Sequence, residues 1–283
     1  MEMKNLVIAN PKYLENKKKI FRKDGKEKIH VLTDFDRSLT KAYVEGEYVP
    51  SVISILRSEG YISEDYTKKA NALAAKYHPI ELDSKIPVKE KKKQMMEWWT
   101  KHFKLLIESK LNKKHLEKII QSDKIWFREG ALEFIDLTHK YGIPFVIMSS
   151  SGVGDTLPMI FEREKRLYDN IHIITNLFKW DKKGYAKEVI KPIIHSLNKD
   201  ETMLQDYSFF KEIKNRKNVV LLGDNVEDIE MVKGFDYDNI IKIGFLNKDV
   251  EKNIGNYKKA FDIVILNDSN MNYVNSLMKE IVK

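Results

Sequence analysis

Cysteine is absent from this chain of 283 residues. That excludes disulfides, thiolate nucleophiles and cysteine-ligated zinc or iron-sulfur clusters, and it accords with a reducing compartment. No apolar stretch runs uninterrupted for the ~20 residues that a membrane-spanning helix needs. The opening MEMKNLVIANPKYLENKKK has one short apolar run before polar sequence, which is not the pattern of a secretory signal. Internal repeats and low-complexity segments are missing too. The expectation is a soluble, cytoplasmic protein.

Core-forming material is plentiful. The chain is 42% hydrophobic, with 13 Phe, 13 Tyr and 4 Trp, which excludes disorder. Its length accommodates a core domain with a second, inserted one. The net charge of +8 has lysine clusters at ENKKKIFRKDGKEK and VKEKKKQ, but acidic residues are interleaved with them. Such a surface is solvated and attracts small anions; nucleic acid is not the expected partner. A basic RNA-binding protein is the distant alternative, and it would show steep salt dependence without any need for a particular carboxylate.

Short runs rich in Val and Ile, continuous rather than alternating, occur at IHVLTDFD, IPFVIMSSSG, NVVLLGD and IIKIGFL, with IHIITN and FDIVILND as further candidates. Continuous apolar runs of this length mark strands buried on both faces of a parallel sheet. Helical patterns separate them, such as EGALEFIDLTHKYG with Gly142 as its stop. The fold class is therefore α/β. Residues 41–124 break the rhythm with four helical segments and no convincing strand, so they read as a helical insertion into a core made of residues 1–40 and 125–283.

Ligands of open parallel sheets gather beyond the carboxyl ends of the strands. The residues there are Asp34 and Asp36, then Ser149 to Gly152, then Gly223 and Asp224. A carboxylate at Asp34 can attack phosphorus to give an acyl phosphate if a cation cancels the repulsion between the two anions. Mg2+ suits carboxylate and phosphate oxygens, with Asp224 as a second carboxylate ligand. Asp36 can protonate the departing alkoxide and later activate water. A hydroxyl and backbone N–H groups at Ser150 and Ser151, with a lysine, would neutralise the transferred group. Asp228, one turn after Asp224, would support it from behind.

DFDRSLT, FVIMSSSG and LLGDNVED together resemble the first, second and fourth motifs of the haloacid dehalogenase-like phosphohydrolases. KYHPIELD, MEWWTKH, GVGD, HSLNKD and IIKIGFLN extend the resemblance, from about residue 30 onward, to the cytosolic pyrimidine 5'-nucleotidases of type III. The resemblance implies a Rossmann-like parallel sheet with a helical cap. The implied reaction is Mg2+-dependent hydrolysis of nucleoside monophosphates, pyrimidine ones or, in a sister branch, 7-methyl-GMP. It further implies Asp34 as nucleophile, Asp36 as proton donor, and Asp34, the Asp36 carbonyl and Asp224 around Mg2+. Lys199 falls on the family's phosphate-neutralising lysine, and Ser150 and Ser151 on its phosphate contacts. Glu81 and His102 fall on insertion positions that approach the nucleoside. The cap would close over the substrate and exclude water.

Some readings stay open at this level. Counting back from Gly152 selects Ser150 as the phosphate-contacting hydroxyl, counting forward from Pro144 selects Ser149, and the glycine favours Ser150. Trp98, Trp99 and Phe103 read as packing residues of one helical face. Arg37 stands where an apolar residue is more familiar, and faces either the phosphate or solvent. A phosphatase for another small phosphorylated metabolite, such as a sugar phosphate or phosphoserine, is the alternative substrate class.

Overall fold

The computed structural model describes residues 5–83, 85–199, 207–233 and 236–283; Asp200, the last residue of the HSLNKD segment, lies outside them. In chain order the elements begin with β1 (Leu6–Ile8), α1 (Pro11–Asp24) and β2 (Ile29–Thr33). A short hairpin follows, β3 (Tyr43–Val44) and β4 (Glu47–Tyr48), and then four helices, α2 (Val52–Ser58), α3 (Glu64–Leu82), α4 (Val88–Glu108) and α5 (Lys113–Gln121). The alternating part resumes with α6 (Ala131–Lys140), β5 (Phe145–Val153), α7 (Thr156–Arg163) and β6 (Ile171–Asn176). A second hairpin, β7 (Phe178–Trp180) and β8 (Ala186–Val189), precedes α8 (Phe210–Ile213), β9 (Asn218–Gly223), β10 (Asn239–Leu246), α9 (Val250–Ala260), β11 (Ile263–Leu266) and α10 (Asn272–Ile281).

Seven strands form one sheet in the order β1-β11-β10-β9-β2-β5-β6, parallel throughout except for the edge strand β1. All five residues of β2 and all six of β9 are buried, as continuous apolar runs require of strands covered on both faces. From β2 the chain first builds outward through β5 and β6, then crosses to the other side for β9, β10 and β11. That reversal opens a crevice at the carboxyl ends of β2, β5 and β9.

Local chemistry explains the helix limits. Ser63 accepts from the Tyr66 N–H at 3.1 Å and starts α3. Asn112 starts α5, its side chain accepting from Lys114 N–H at 3.0 Å while the His115 ring accepts from the Asn112 N–H. Gly142, at φ 63°, turns the chain after α6. The hairpin at 43–48 escapes sequence periodicity because each strand is two residues long; its turn rests on Glu45 and Gly46, both at positive φ.

The helical body is not built from residues 41–124 alone. The β7–β8 hairpin stands apart from the main sheet and hydrogen-bonds to the insertion, with Lys113 N–H on Gly184 O at 3.0 Å and Ala186 N–H on Leu111 O at 2.9 Å. Phe178 packs edge-on against Phe103 of α4, at 5.6 Å between centroids. The hairpin's contacts thus reach residues 103–113 of the insertion, a pairing its separation in sequence hides. Among the described residues no helix is long and apolar enough to cross a membrane.

The segments leaving and re-entering the core run side by side. Thr40 and Phe127 form an antiparallel bridge, Lys41 N–H reaches Trp126 O at 2.8 Å, and Arg128 N–H reaches Leu39 O at 2.8 Å. The Arg128 guanidinium is 2% exposed; it donates to the carbonyls of Ser38, Arg37 and Ser269, pairs with Asp268 at 3.0 Å and lies over the Phe245 ring. Removing one partner of such a buried pair leaves the other uncompensated. Arg128→Met is therefore expected to lower unfolding stability by about 3 kcal/mol, read as a shifted urea midpoint with an unchanged slope.

Candidate active site

Successive residues beyond a strand point to opposite sides, which gives the DFD spacing its use. Phe35 turns into the core, edge-on to Phe127 and Phe161, while Asp34 and Asp36 lie on the crevice side. Asp34 N–H donates to Leu222 O at 3.1 Å and Thr33 Oγ1 donates to Asp34 O at 2.7 Å, so the first aspartate is fixed to the sheet.

Lys199 is the centre of the cluster. Its Nζ lies 2.7 Å from Asp34 Oδ1 and 2.8 Å from Asp228 Oδ1, with the side chain 6% exposed. Burial alone would lower its pKa, but Asp228 and Asp34 more than reverse this and raise it, so the ammonium stays charged. Asp228 Oδ2 in turn accepts from the N–H groups of Asp224 and Asn225 at 3.1 and 3.0 Å, closing the turn after β9. Gly223 makes this possible. A Cβ there would stand 2.4 Å from Asp228 Cβ and 2.7 Å from Oδ2.

Oxygens of Asp34, Asp224 and Asp228 all lie within 4.8 Å of one another. Burial pushes the Asp34 carboxyl up to about 7, with Lys199 opposing and Asp228 and Asp36 adding to the rise. Asp224 is raised well above the usual carboxylate range by burial and by Asp34 and Asp228. Hard oxygen donors crowded against their own repulsion fit a hard divalent cation such as Mg2+. Asp228 already engages both oxygens with protein donors, which leaves Asp34 and Asp224 the freer ligands. The Tyr257 hydroxyl, on α9, anchors the Asp224 carbonyl at 2.5 Å.

Asp36 accepts from the Val52 N–H at 3.2 Å and from the Ser151 hydroxyl. Burial raises its pKa, opposed by the Ser151 bond and the charge of Arg37. Ser151 is thus committed to Asp36 in this structure. Ser149 is committed as well, accepting from Gly152 N–H at 3.2 Å. Ser150, more exposed than either, has no hydrogen bond from its hydroxyl among the described residues and is the open one of the three.

The two insertion residues separate. Glu81, in the last turn of α3, reaches the core: its carboxylate accepts from the Ser196 hydroxyl, three residues before Lys199, and lies 3.1 Å from His78 Nδ1. Burial would raise its pKa, but the bonds from His78 and Ser196 hold it lowered. His102 is instead a packing residue, 2% exposed, with Nε2 3.0 Å from the Tyr66 hydroxyl and its ring between Trp99 and Phe103. Its helical face is the same one that buries the tryptophans.

Sequence reasoning missed Ser196, Arg128, Asp268 and Tyr257. The arginine directly after the apolar run IWF was the one available signal; nothing local marks the other three.

Solved structures share this fold. Cytosolic 5'-nucleotidase IIIB bound to cytidine superposes with a TM-score of 0.90 at 28% identity, covering 98% of this chain and 94% of that one. A phosphoserine phosphatase, as its phospho-aspartyl intermediate analogue, shares the fold at a TM-score of 0.53 and 18% identity, covering 88% of this chain and 97% of that one. Fold and site define a phosphoric monoester hydrolase of the haloacid dehalogenase type. The 7-methylguanosine phosphate-specific 5'-nucleotidase of Gallus gallus is 34% identical over 97% of this chain and 95% of its own length. With residues 37–282 matching the model of that family, the chain belongs to the pyrimidine 5'-nucleotidase (UMPH-1) family.

Two outcomes are expected. Gly223→Ala displaces Asp228 and with it Lys199, costing on the order of a hundredfold in phosphatase kcat/KM while the circular dichroism spectrum is retained. Burial lowers the pKa of His102 to about 3. The unfolded chain therefore binds the extra proton first, and stability is lost as pH falls below about 6.5. From pH 7 to pH 5 the loss from this residue is about 2 kcal/mol, and urea titrations of His102→Gln should show a correspondingly flatter profile.

Proposed function

We propose that this protein is a Mg2+-dependent 5'-nucleotidase that hydrolyses nucleoside 5'-monophosphates through a phosphorylated Asp34. The observation that carries the reading is the shared crevice of Asp34, Asp36, Lys199, Asp224 and Asp228 at the reversal point of the sheet.

An Asp34 oxygen attacks phosphorus, the bond from phosphorus to the ester oxygen breaks, and Asp36 gives its proton to that departing oxygen. Asp36 then accepts a proton from water as the water attacks the phosphorus of the acyl phosphate, releasing phosphate and restoring Asp34. Lys199 and the open hydroxyl of Ser150 bind the phosphoryl oxygens. Mg2+, held by Asp34, Asp224 and the Asp36 carbonyl, would supply the charge that lets one anion approach another. Asp228 acts behind them, setting Lys199 and the turn that carries Asp224. The helical insertion, together with the β7–β8 hairpin, forms the cap, and its Glu81 meets the core beside the crevice.

Glu81 supports a choice of base. A carboxylate accepts well from an exocyclic amino group, which cytosine and 7-methylguanine both carry and uracil lacks. CMP and 7-methyl-GMP are therefore the substrates of this reading. It agrees with the cytidine bound to one related structure and the 7-methylguanosine named for the Gallus gallus relative.

A screen with Mg2+ of CMP, UMP, 7-methyl-GMP, glucose 6-phosphate and phosphoserine tests this directly. Asp34→Asn is expected to lower kcat by at least about a thousandfold, and chelation to abolish turnover until Mg2+ is restored. Glu81→Gln should lower kcat/KM for CMP roughly tenfold while sparing a simple ester. Preference for phosphoserine or a sugar phosphate over every nucleotide would sink the nucleotidase reading.

A further inference from the structure

Arg37 follows Asp36 directly, and its backbone sits at φ 62°, a region a non-glycine residue rarely adopts. Three hydrogen bonds hold it there. Its N–H donates to Thr40 Oγ1 at 2.8 Å, and its carbonyl accepts from Arg128 Nη2 and from Asn247 Nδ2, the latter at 3.1 Å. The conformation is thus imposed by the same buried guanidinium that ties the two crossing segments together, and it fixes where the side chain goes.

The guanidinium lies against the β3–β4 hairpin, 4.3 Å from the centre of the Tyr48 ring, and Lys248 Nζ lies 5.0 Å from that same ring. Tyr43 packs edge-on to Tyr48 at 5.3 Å, while Asp268 anchors the hairpin by accepting from the N–H groups of Ala42 and Tyr43. The mounting is rigid, yet the cation is poorly satisfied. Among the described residues no carboxylate forms an ion pair with Arg37, its Nε is shut off from solvent without a hydrogen-bond partner, and its one side-chain bond is a long 3.4 Å to Val49 O. Leaving donors of a guanidinium unpaired in a sheltered position is costly unless a ligand supplies the acceptors.

The surroundings indicate which ligand. Arg37 directly follows Asp36, and its bond to Val49 O falls three residues before Val52, whose N–H donates to Asp36, so it stands beside the crevice. Among the described residues, Asp34, Asp36, Asp224 and Asp228 converge there with Lys199 as their paired lysine, so a further cation would offset their repulsion of a dianionic phosphoryl group. An arginine fork is suited to two oxygens of one phosphoryl group in a way a lysine is not.

We propose that Arg37, braced on Tyr48, is a second cationic phosphate-binding residue that works opposite Lys199. This rests on the phosphatase reading of the crevice and extends it to a residue that DxD chemistry does not require. Lys248, on the same ring, adds positive charge at the rim and steers anions toward the fork.

Calorimetric titration of inorganic phosphate in the presence of Mg2+ tests the assignment without depending on turnover. Arg37→Met should weaken phosphate binding roughly tenfold, Arg37→Lys less, and Tyr48→Leu should weaken it by loosening the brace. With CMP, the rise in KM for Arg37→Met should exceed the fall in kcat, as a contact already made in the bound substrate requires. Should Arg37→Met fail to fold, the Lys and Tyr48→Leu variants carry the same comparison. Phosphate affinity unchanged across the folded variants would reduce Arg37 to a packing partner of Tyr48 and overturn the proposal. If phosphate binding depends on Arg37 while no nucleotide is turned over, the anion site stands and the nucleotidase reading falls.

Discussion

One buried ammonium organises the crevice. Lys199 touches Asp34 at the tip of β2 and Asp228 in the turn after β9, so a single side chain joins segments 165 and 29 residues away from it. In a site of low polarity an uncompensated carboxylate is costly, and so is an uncompensated lysine. Each satisfies the other here, and the remaining oxygen of Asp228 completes the turn that presents Asp224. Geometry and charge are therefore set together: displacing Lys199 leaves both carboxylates buried without a counterpart, and displacing either carboxylate leaves the lysine with one partner instead of two.

Crowding is the counterweight. Burial and mutual repulsion raise the pKa of both Asp34 and Asp224. A site built in this way holds carboxylates in a state that welcomes positive charge, from a divalent ion on one side and from basic side chains on the other. The chain's excess of lysine and arginine matters less through its total than through the few members, Lys199 and Arg37, that are pinned next to acidic groups.

The sheet and the edge that carries its aspartates were legible in the sequence because burial on both faces writes itself as unbroken Val and Ile runs, and because the acidic pair stands directly at the end of one of them. IHVLTDFD and NVVLLGD correspond to neighbouring strands with their aspartates at the same edge. Helix starts at Ser63 and Asn112 were equally readable, since capping is a local interaction between residues two or three apart. What stayed hidden depends on distant pairs. Nothing in HSLNKD says that Ser196 meets Glu81, 115 residues earlier, or that the hairpin at 178–189 leaves the sheet for the helices. His102 shows the converse pull. Its residue type invites a role in chemistry, but its position on a face with Trp98, Trp99 and Phe103 decides for the interior.

Arg128 has a consequence for how such an enzyme can diversify. By gripping the carbonyls just after Asp36 and the carboxylate of Asp268 at once, it welds the loop after β2 to the turn after β11. The loop that carries Asp34 and Asp36 is thus held from the core side of the seam. The solvent-facing sides of helices α3 and α4 make none of these contacts, so substitutions there leave the carbonyls after Asp36 and the carboxylate of Asp268 where they are.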